Sequence, residues 1–423
     1  MSENRPRHRR IRPGIIGLGF LLAMFLTCIA TLPWTLGTVR SPGGGASSRI
    51  DLQLRTARHL PPSWWGFGAH ERSSDPASKR LEATARLRAL EHLAATRGTT
   101  VERLEAEHVE PSPADIAAAR PFYLFGTDLL GRDLFVRCLA GGGISLTIGI
   151  AAAALAVLLG TLYGAISGYA GGRTDAVMMR IVDVLYGLPY VLLVVLLAVA
   201  ADGVMGEYVS REKARMRWVR QEVVSSVHHA AIDPSMPLDA AEVLKAHPDL
   251  REKLEREAEA RFPPRIVSNA GRTAFDLTTL LVAIGGVSWL TMARVIRGQV
   301  LSLKAQPFIE AARAMGVGTP GIFVRHLLPN LVGPIVVYAT LTVPQAILQE
   351  SFLSFLGIGV RPPMPSWGNL AAEGLGEINP VSPELSHWWL LLFPCLLLGA
   401  TLVALNFAGE SLRERMDPKS RRC

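Results

Sequence analysis

The chain alternates between apolar runs and polar segments, with apolar runs at 15–39, 144–167, 181–201, 277–293, 331–348 and 388–407. A helix of about 20 apolar residues crosses the hydrocarbon core of a bilayer. The pattern therefore predicts an all-α fold, a polytopic transmembrane helix bundle of about six spans. Between the runs lie two long hydrophilic insertions, 40–120 and 202–270. In the first, Leu81, Leu87, Leu90 and Leu93 recur at roughly helical spacing among Arg, Glu and Ala, and the second carries REKAR and DLREKLEREAEAR. Both predict extramembrane helices.

The first run follows Arg5, Arg7, Arg9, Arg10 and Arg12, as a signal peptide would. It is longer than a usual signal core, and Pro33-Trp34 stands where a small-residue cleavage site should begin, so a retained first helix is expected. In the second run Gly160, Gly164 and Gly168 fall on one helix face, which predicts close packing of backbones. The third run contains Pro189 and begins near Asp183, a carboxylate at the membrane that is a functional candidate or simply solvated at the interface.

Between the fourth and fifth runs lies a polar, basic interruption ending in EAARAMGVGTPGIFVRHLLPN, residues 310–330. Gly316, Gly318 and Pro320 mark a turn, so the stretch reads as helix, turn, helix outside the bilayer. Ala311, Ala312 and Ala314 predict a helix surface of little bulk that another protein can approach. By itself the stretch is equally readable as an ordinary connecting loop.

Composition sharpens the class. At 49% hydrophobic residues and 28 prolines in 423 positions, the chain is too apolar for a water-soluble protein of its size. The net charge of +8 is spread at the ends of apolar runs, which favours membrane orientation over nucleic acid as its purpose. Arg173 and Arg180, then Arg294, Arg297, Lys304, Arg313 and Arg325, then Arg413, Arg415, Lys419, Arg421 and Arg422 all fall on one side if the N-terminus is cytoplasmic. The short loop 351–386 on the other side has only Arg361. This asymmetry predicts that 1–14, 294–330 and 409–423 are cytoplasmic and both insertions outside. Cys28, Cys138, Cys395 and Cys423 have no metal-ligand spacing, and no phosphate-cradling loop, H-E-x-x-H or G-x-S-x-G is present. Neither a catalytic nor a metal site can be assembled from adjacent residues.

On these residues the chain resembles the inner-membrane permease subunits of ATP-binding-cassette importers. Glu310, Ala311, Ala312, Gly316, Leu328 and Pro329 fill the pattern of that family's Glu-Ala-Ala loop. His326, in RHLLPN, is similar to the dipeptide, oligopeptide and nickel branch. FGTDLLGRDLF (125–135), GYAGG (168–172), ARVIRGQVLSLKAQPF (293–308), SFLSFLGIGVRPPMPSWG (351–368) and LNFAGESLRERMDP (405–418) agree, so the resemblance covers roughly 120–201 and 274–418. The insertions are longer than the family usually has, and Glu410 replaces a more usual aspartate.

The resemblance implies a permease for peptides, or for nickel or another small solute. Its partners would be a second permease subunit, two ATPase subunits that use the ATP, an extracytoplasmic solute-binding protein and the lipid bilayer. No nucleic acid and no directly bound cofactor are expected. Glu310, Ala311, Ala312, Gly316, His326, Leu328 and Pro329 would couple to the ATPase. Asp183 and Glu350, the latter followed by Ser351 and Phe352 where the family tends to have alanines, are the candidates for pathway or gating. A secondary transporter using Asp183 with Gly285-Gly286, or a membrane-bound enzyme, would explain the spans but not the cytoplasmic loop.

Overall fold

The computed structural model describes residues 13–40, 46–64, 76–229, 248–261, 269–379 and 387–416. The N-terminal arginines, the turn at 42–45, the prolines at 263–264 and the basic residues at 419–422 lie outside the described residues. The chain divides into two compact units, 1–194 with 280–423, and 195–279.

In the larger unit, α1 (Pro13–Thr35) leads into an antiparallel pair, β1 (Thr38–Arg40) with β2 (Ala46–Ser48), in which Thr38 faces Ser48. Three-residue strands leave almost no period in a sequence, so nothing in the pattern announced them. The first insertion continues through short turns at Arg49–Asp51 and Arg55–Ala57 into α2 (Pro76–Arg97), α3 (Val101–Ala106) and α4 (Pro113–Ala118). Its leucines do what their spacing predicts. Leu90 is buried with Ala94 and Leu104, and Leu81 packs on Leu54, Ala57, Leu60 and Tyr123.

The membrane-type helices follow. α5 (Leu134–Ala170) is about 55 Å long at 1.5 Å per residue, well beyond the thickness of a hydrocarbon core. Then come α6 (Gly172–Tyr186), α7 (Tyr190–His229), α8 (Pro248–Arg261) and α9 (Asn269–Lys304). After α9 the chain forms α10 (Pro307–Ala314), α11 (Thr319–Ile322), α12 (Leu328–Phe355), α13 (Trp367–Gly376) and α14 (Trp389–Met416). Five helices are long and apolar enough to cross a membrane, at Gly17–Thr35, Leu134–Ala170, Thr273–Lys304, Thr319–Phe355 and Trp389–Glu414. A sixth crossing arises if Gly172–Tyr186 and Val191–Ala201 form one broken span. The fold is thus the expected polytopic helical bundle.

Two boundaries differ from expectation. The third run is not one helix over 181–201: α6 stops at Tyr186 and α7 starts at Tyr190. Pro189 has no N–H to donate and disfavours helical geometry at Leu188, so the chain breaks there. The polar interruption 294–330 opens in helix rather than in a loop, because α9 runs on to Lys304. Nothing between Ala293 and Lys304 stops a helix, and Ile296 and Val300 on that stretch are fully buried.

The smaller unit contains most of α7, α8 and the first turns of α9. Val223, Leu254 and Ala258 are buried in it, and the Arg261 guanidinium stands 5.9 Å from the Trp218 ring.

Close packing in the larger unit depends on small residues. A Cβ at Gly160 would stand 2.7 Å from the Trp289 carbonyl oxygen, and one at Gly168 would stand 2.9 Å from that of Arg297, so this stripe lets α5 touch the α9 backbone. Trp367, fully buried at the start of α13, donates its indole N–H to the Cys138 carbonyl at 3.1 Å and packs with Leu146 and Ile347. Ser366 and Asn369 cap that helix reciprocally, which explains the Pro-Ser-Trp-Gly signature in packing terms.

The FGTDLLGRDLF stretch builds a buried charge network. Asp128 accepts from Arg132 Nε at 2.7 Å and from Arg137 Nη1 at 2.8 Å, and its other oxygen accepts the backbone N–H groups of Leu130 and Arg132 at 2.9 Å. Arg137, 1% exposed, also makes a two-pronged contact with Glu373 of α13, and Arg132 reaches Asp51 of the first insertion at 3.3 Å. Asp133 caps α5 by accepting from the Phe135 N–H. These contacts tie the first insertion to α5 and α13.

Candidate functional site

The stretch 307–327 forms a helix, a turn and a second helix, as its sequence predicts. Pro307 starts α10, where its missing N–H leaves nothing unsatisfied. α10 ends in a Schellman closure: Gly316 N–H donates to Arg313 O at 2.9 Å and Val317 N–H to Ala312 O at 3.1 Å. That closure needs a left-handed residue, and Gly316 supplies it at φ 80°. Further on, Phe323–Leu327 is a π-helical turn in which Leu328 N–H reaches back to Phe323 O. Pro329 explains it, since a regular turn would press the proline ring against the carbonyl four residues back and the wider turn relieves that clash.

One face of this element is locked into the bundle. Ile309 and Ala312 of α10, Ile322 of α11 and Leu327 share a buried cluster with Ala165 of α5, Met292, Ile296 and Val300 of α9, and Leu331 of α12. Any displacement of α10 therefore pushes on three membrane helices at once. The other face is open. Glu310, Ala311 and Ala314 are exposed, Phe308 and Val324 project as apolar side chains, and Met315 is 76% exposed. Among the described residues Glu310 has no ion-pair partner.

Ala312 corrects the sequence reading. It belongs to the core, not to the small outward surface, which consists of Ala311 and Ala314. The helix phase decides this, because Ile309 and Ala312 are three apart and point the same way. His326 is half-buried, its carbonyl accepting from Asn330 Nδ2 at 2.7 Å, while Leu328 and Pro329 are exposed.

Polar side chains beside this element tie α5, α6 and α9 to one another. Arg297 makes two 2.6 Å hydrogen bonds to Asp175, which also accepts from Ser167 Oγ. Lys304 donates to the Tyr169 carbonyl, and Arg313 of α10 lies 5.8 Å from the Tyr169 ring. Sequence reading missed Asp175, whose only advance signal was the GYAGG-x-x-D spacing, and read Arg297 only as a charge that sets membrane orientation. Asp183 sits on the exposed side of α6, 2.9 Å from Arg294, whose guanidinium lies 4.0 Å from the Tyr186 ring.

Glu350, in α12, is fully buried. Ser354 Oγ donates to its Oε1 at 2.8 Å and Ser351 Oγ approaches its Oε2 at 3.3 Å, with Ser145 and Ser366 also within reach. Ser351 thus adds a hydroxyl beside the carboxyl that an alanine would not supply. The structure places Asp183 and Glu350 in separate surroundings and does not bring them together.

A groove of about 610 Å³ opens between the end of α6, α9 and α12. Ser288, Thr291, Thr342, Gln345 and Gln349 give its wall hydroxyl and amide groups, Leu341 and Leu348 give it apolar patches, and no ionisable acid or base besides tyrosine lines it.

A multi-pass helical bundle with an uncharged groove and an exposed helix wedged among its long apolar helices fits a membrane transport component. Residues 160–422 match the family of binding-protein-dependent transport system inner membrane components. The chain is 38% identical to the oligopeptide transport system permease protein OppC of Haemophilus influenzae over 71% of each chain. It is 37% identical to the dipeptide transport system permease protein DppC of Bacillus subtilis, over 70% of this chain and 69% of that one. It is 40% identical to OppC of Escherichia coli K12, over 71% of this chain and 73% of that one. The chain belongs to the binding-protein-dependent transport system inner membrane component family and is a multi-pass protein of the inner membrane.

Proposed function

We propose that the chain is the permease subunit of an ATP-driven peptide importer, and that 307–327 is where a partner ATPase drives it. The observation carrying this reading is the two-sidedness of α10, with Ile309 and Ala312 inside the bundle and Glu310, Ala311, Ala314 and Met315 outside. A second permease subunit completes the path, two ATPases bind and hydrolyse ATP, and an extracytoplasmic solute-binding protein delivers the cargo. The chain itself catalyses nothing and binds no nucleotide. Both termini face the cytoplasm, and the insertions 40–120 and 202–270 face outward, toward the binding protein.

The mechanism follows from the packing. Closure of the ATPases on ATP moves α10 as a rigid body, and the shared cluster carries that motion to α5, α9 and α12. Access to the groove then alternates between the two sides of the membrane. ATP and the docked binding protein shift this equilibrium only by their differential affinity for the two states, and both favour the outward-open one. The groove wall, mostly apolar with a few hydroxyls and two glutamine amides and no charged side chain, passes peptides with little regard for side-chain charge.

Two experiments test this. The chain purified from its own membrane should bring an ATPase and a second permease with it, and isolation as a self-contained unit would count against the importer reading. Proteoliposomes of the full assembly should accumulate labelled di- and oligopeptides in an ATP-dependent manner. Accumulation of nickel ions instead would transfer the same architecture to a different cargo.

A further inference from the structure

Two segments of the first insertion, 60–64 and 121–127, are bound to each other and to the start of α14. Thr127 N–H donates to the Leu60 carbonyl at 2.9 Å, Leu60 N–H to Thr127 Oγ1 at 2.7 Å, and Ser63 N–H to the Tyr123 carbonyl at 2.8 Å. Ser63 Oγ in turn accepts the Tyr123 N–H at 2.8 Å. Trp389, the first residue of α14, donates its indole N–H to the Thr127 carbonyl at 3.3 Å. One turn further along α14, the Phe393 ring stacks on that of Phe125, with centroids 4.1 Å apart and 6° between planes.

This framework turns a strip of apolar side chains outward. Pro121 and Tyr123 are buried while Phe122 and Leu124 are exposed, the alternation of an extended chain. Phe122 is 70% exposed. Trp64, 53% exposed, donates its indole N–H to the Leu124 carbonyl at 2.7 Å, so its ring lies beside the same strip, and it meets the edge of Phe393 at 6.4 Å. Single exposed apolar residues need no explanation, but a grouped and anchored set of them marks an interaction surface.

The level of the strip identifies what covers it. α14 is apolar enough to cross a membrane from Trp389 onward and exposes Leu392 and Leu396, as a lipid-facing span does. α1 runs antiparallel to it, since Gly17 lies against Ala404 and Met24 Sδ is 3.5 Å from Thr401 Oγ1, so Trp34 in the last turn of α1 stands at the end where α14 begins. Tryptophans gather at the membrane–water boundary, and Trp34 with the Trp388–Trp389 pair mark it at this end of the bundle. The strip therefore continues the lipid-facing surface of α14 at that boundary. Its backbone suits the place, because irregular chain near the hydrocarbon must have its polar groups paired, and the Tyr123 N–H and the carbonyls of Tyr123, Leu124 and Thr127 all are. Arg120, exposed just before the strip, supplies a cation for headgroup phosphates.

We propose that Trp64, Phe122 and Leu124 insert into the boundary between lipid headgroups and acyl chains beside the start of α14, mooring the first insertion to the bilayer surface as well as to the bundle. Their attachment to a lipid-facing span favours lipid over a docking protein as the occupant. The anchor requires a membrane-spanning bundle but no particular cargo or ATPase, so it is independent of the peptide-import reading.

The test uses the full assembly in nanodiscs of phosphatidylcholine and phosphatidylglycerol, with no binding protein added and the native cysteines of this chain replaced by serine. A nitroxide is attached at Phe122→Cys, and its collisions with oxygen, which concentrates in lipid, are compared with those of a water-soluble nickel chelate. The same measurement at Leu392→Cys gives the lipid standard, and at the exposed Glu107→Cys of α3 the water standard. The oxygen-to-nickel ratio at Phe122→Cys should match Leu392→Cys and exceed Glu107→Cys by about tenfold. Leu124→Cys, on the same face, should read alike and serves if the first variant fails to assemble. A ratio equal to that of Glu107→Cys would show the strip in water, and shielding from both reagents would show it under another protein. Either result would overturn the proposal.

Discussion

Arg297 holds Asp175 with two parallel hydrogen bonds, Nε to Oδ1 and Nη2 to Oδ2, each 2.6 Å long. The pair joins α6 to α9 where α10 meets the bundle. Arg294 and Asp183 make a second α6–α9 pair at 2.9 Å, but the Asp183 side chain is 57% exposed against 12% for Asp175. Removing a partner from a buried charged group costs about 1–3 kcal/mol, whereas an exposed ion pair contributes under about 1 kcal/mol. Arg297→Ala should therefore lower the unfolding midpoint of the purified assembly clearly and Arg294→Ala barely, measured by thermal unfolding in detergent. Equal effects would remove the special role given to Asp175.

Adjacent alanines in α10 should behave oppositely. Ala312 is 1% exposed, so Ala312→Leu overpacks the shared cluster, at about 1–3 kcal/mol, and should reduce the amount of folded protein in the membrane. Ala311 faces outward, so Ala311→Leu should leave expression and stability unchanged while weakening ATPase co-purification. Quantitative pull-down alongside membrane yield separates the two.

Gly316 has open space where a Cβ would go, but its φ of 80° is a conformation that a side chain penalises by about 1–2 kcal/mol. Gly316→Val should insert normally in the membrane and distort the end of α10. The expected outcome is ATP hydrolysis that no longer tracks peptide uptake in proteoliposomes. Uptake at the wild-type rate would count strongly against a coupling role.

The groove offers a substrate test. Gln345 lines it in the absence of charge, so Gln345→Glu places a carboxylate beside the passing peptide. Uptake of acidic peptides should fall about tenfold, equivalent to about 1.4 kcal/mol, with basic peptides spared. Competition uptake assays with matched acidic and basic peptides read the difference.

Much of this architecture was legible in the sequence, and the exceptions share a cause. Apolar runs located the spans because length and hydropathy are local properties, and the leucines of α2 gave away its buried side for the same reason. The turn at Gly316 was equally local. The inward phase of Ala312 was not, since it is set by Ile296, Ile322 and Leu327 arriving from other elements. Arg137 meets Glu373 across 236 positions, so no periodicity connects them. Pro189 was visible, but whether it bends a span or interrupts it depends on neighbours that the sequence does not name.

The account rests on α10 touching an ATPase, and one cross-link tests that contact. In a chain with Cys28, Cys138, Cys395 and Cys423 replaced by serine, Ala311→Cys should form a short-linker cross-link to the co-expressed ATPase, and its yield should change when ATP is added. A cysteine at Leu129, exposed on the side of the first insertion, should form none. Absence of the Ala311→Cys cross-link in an assembly that still transports would contradict the account.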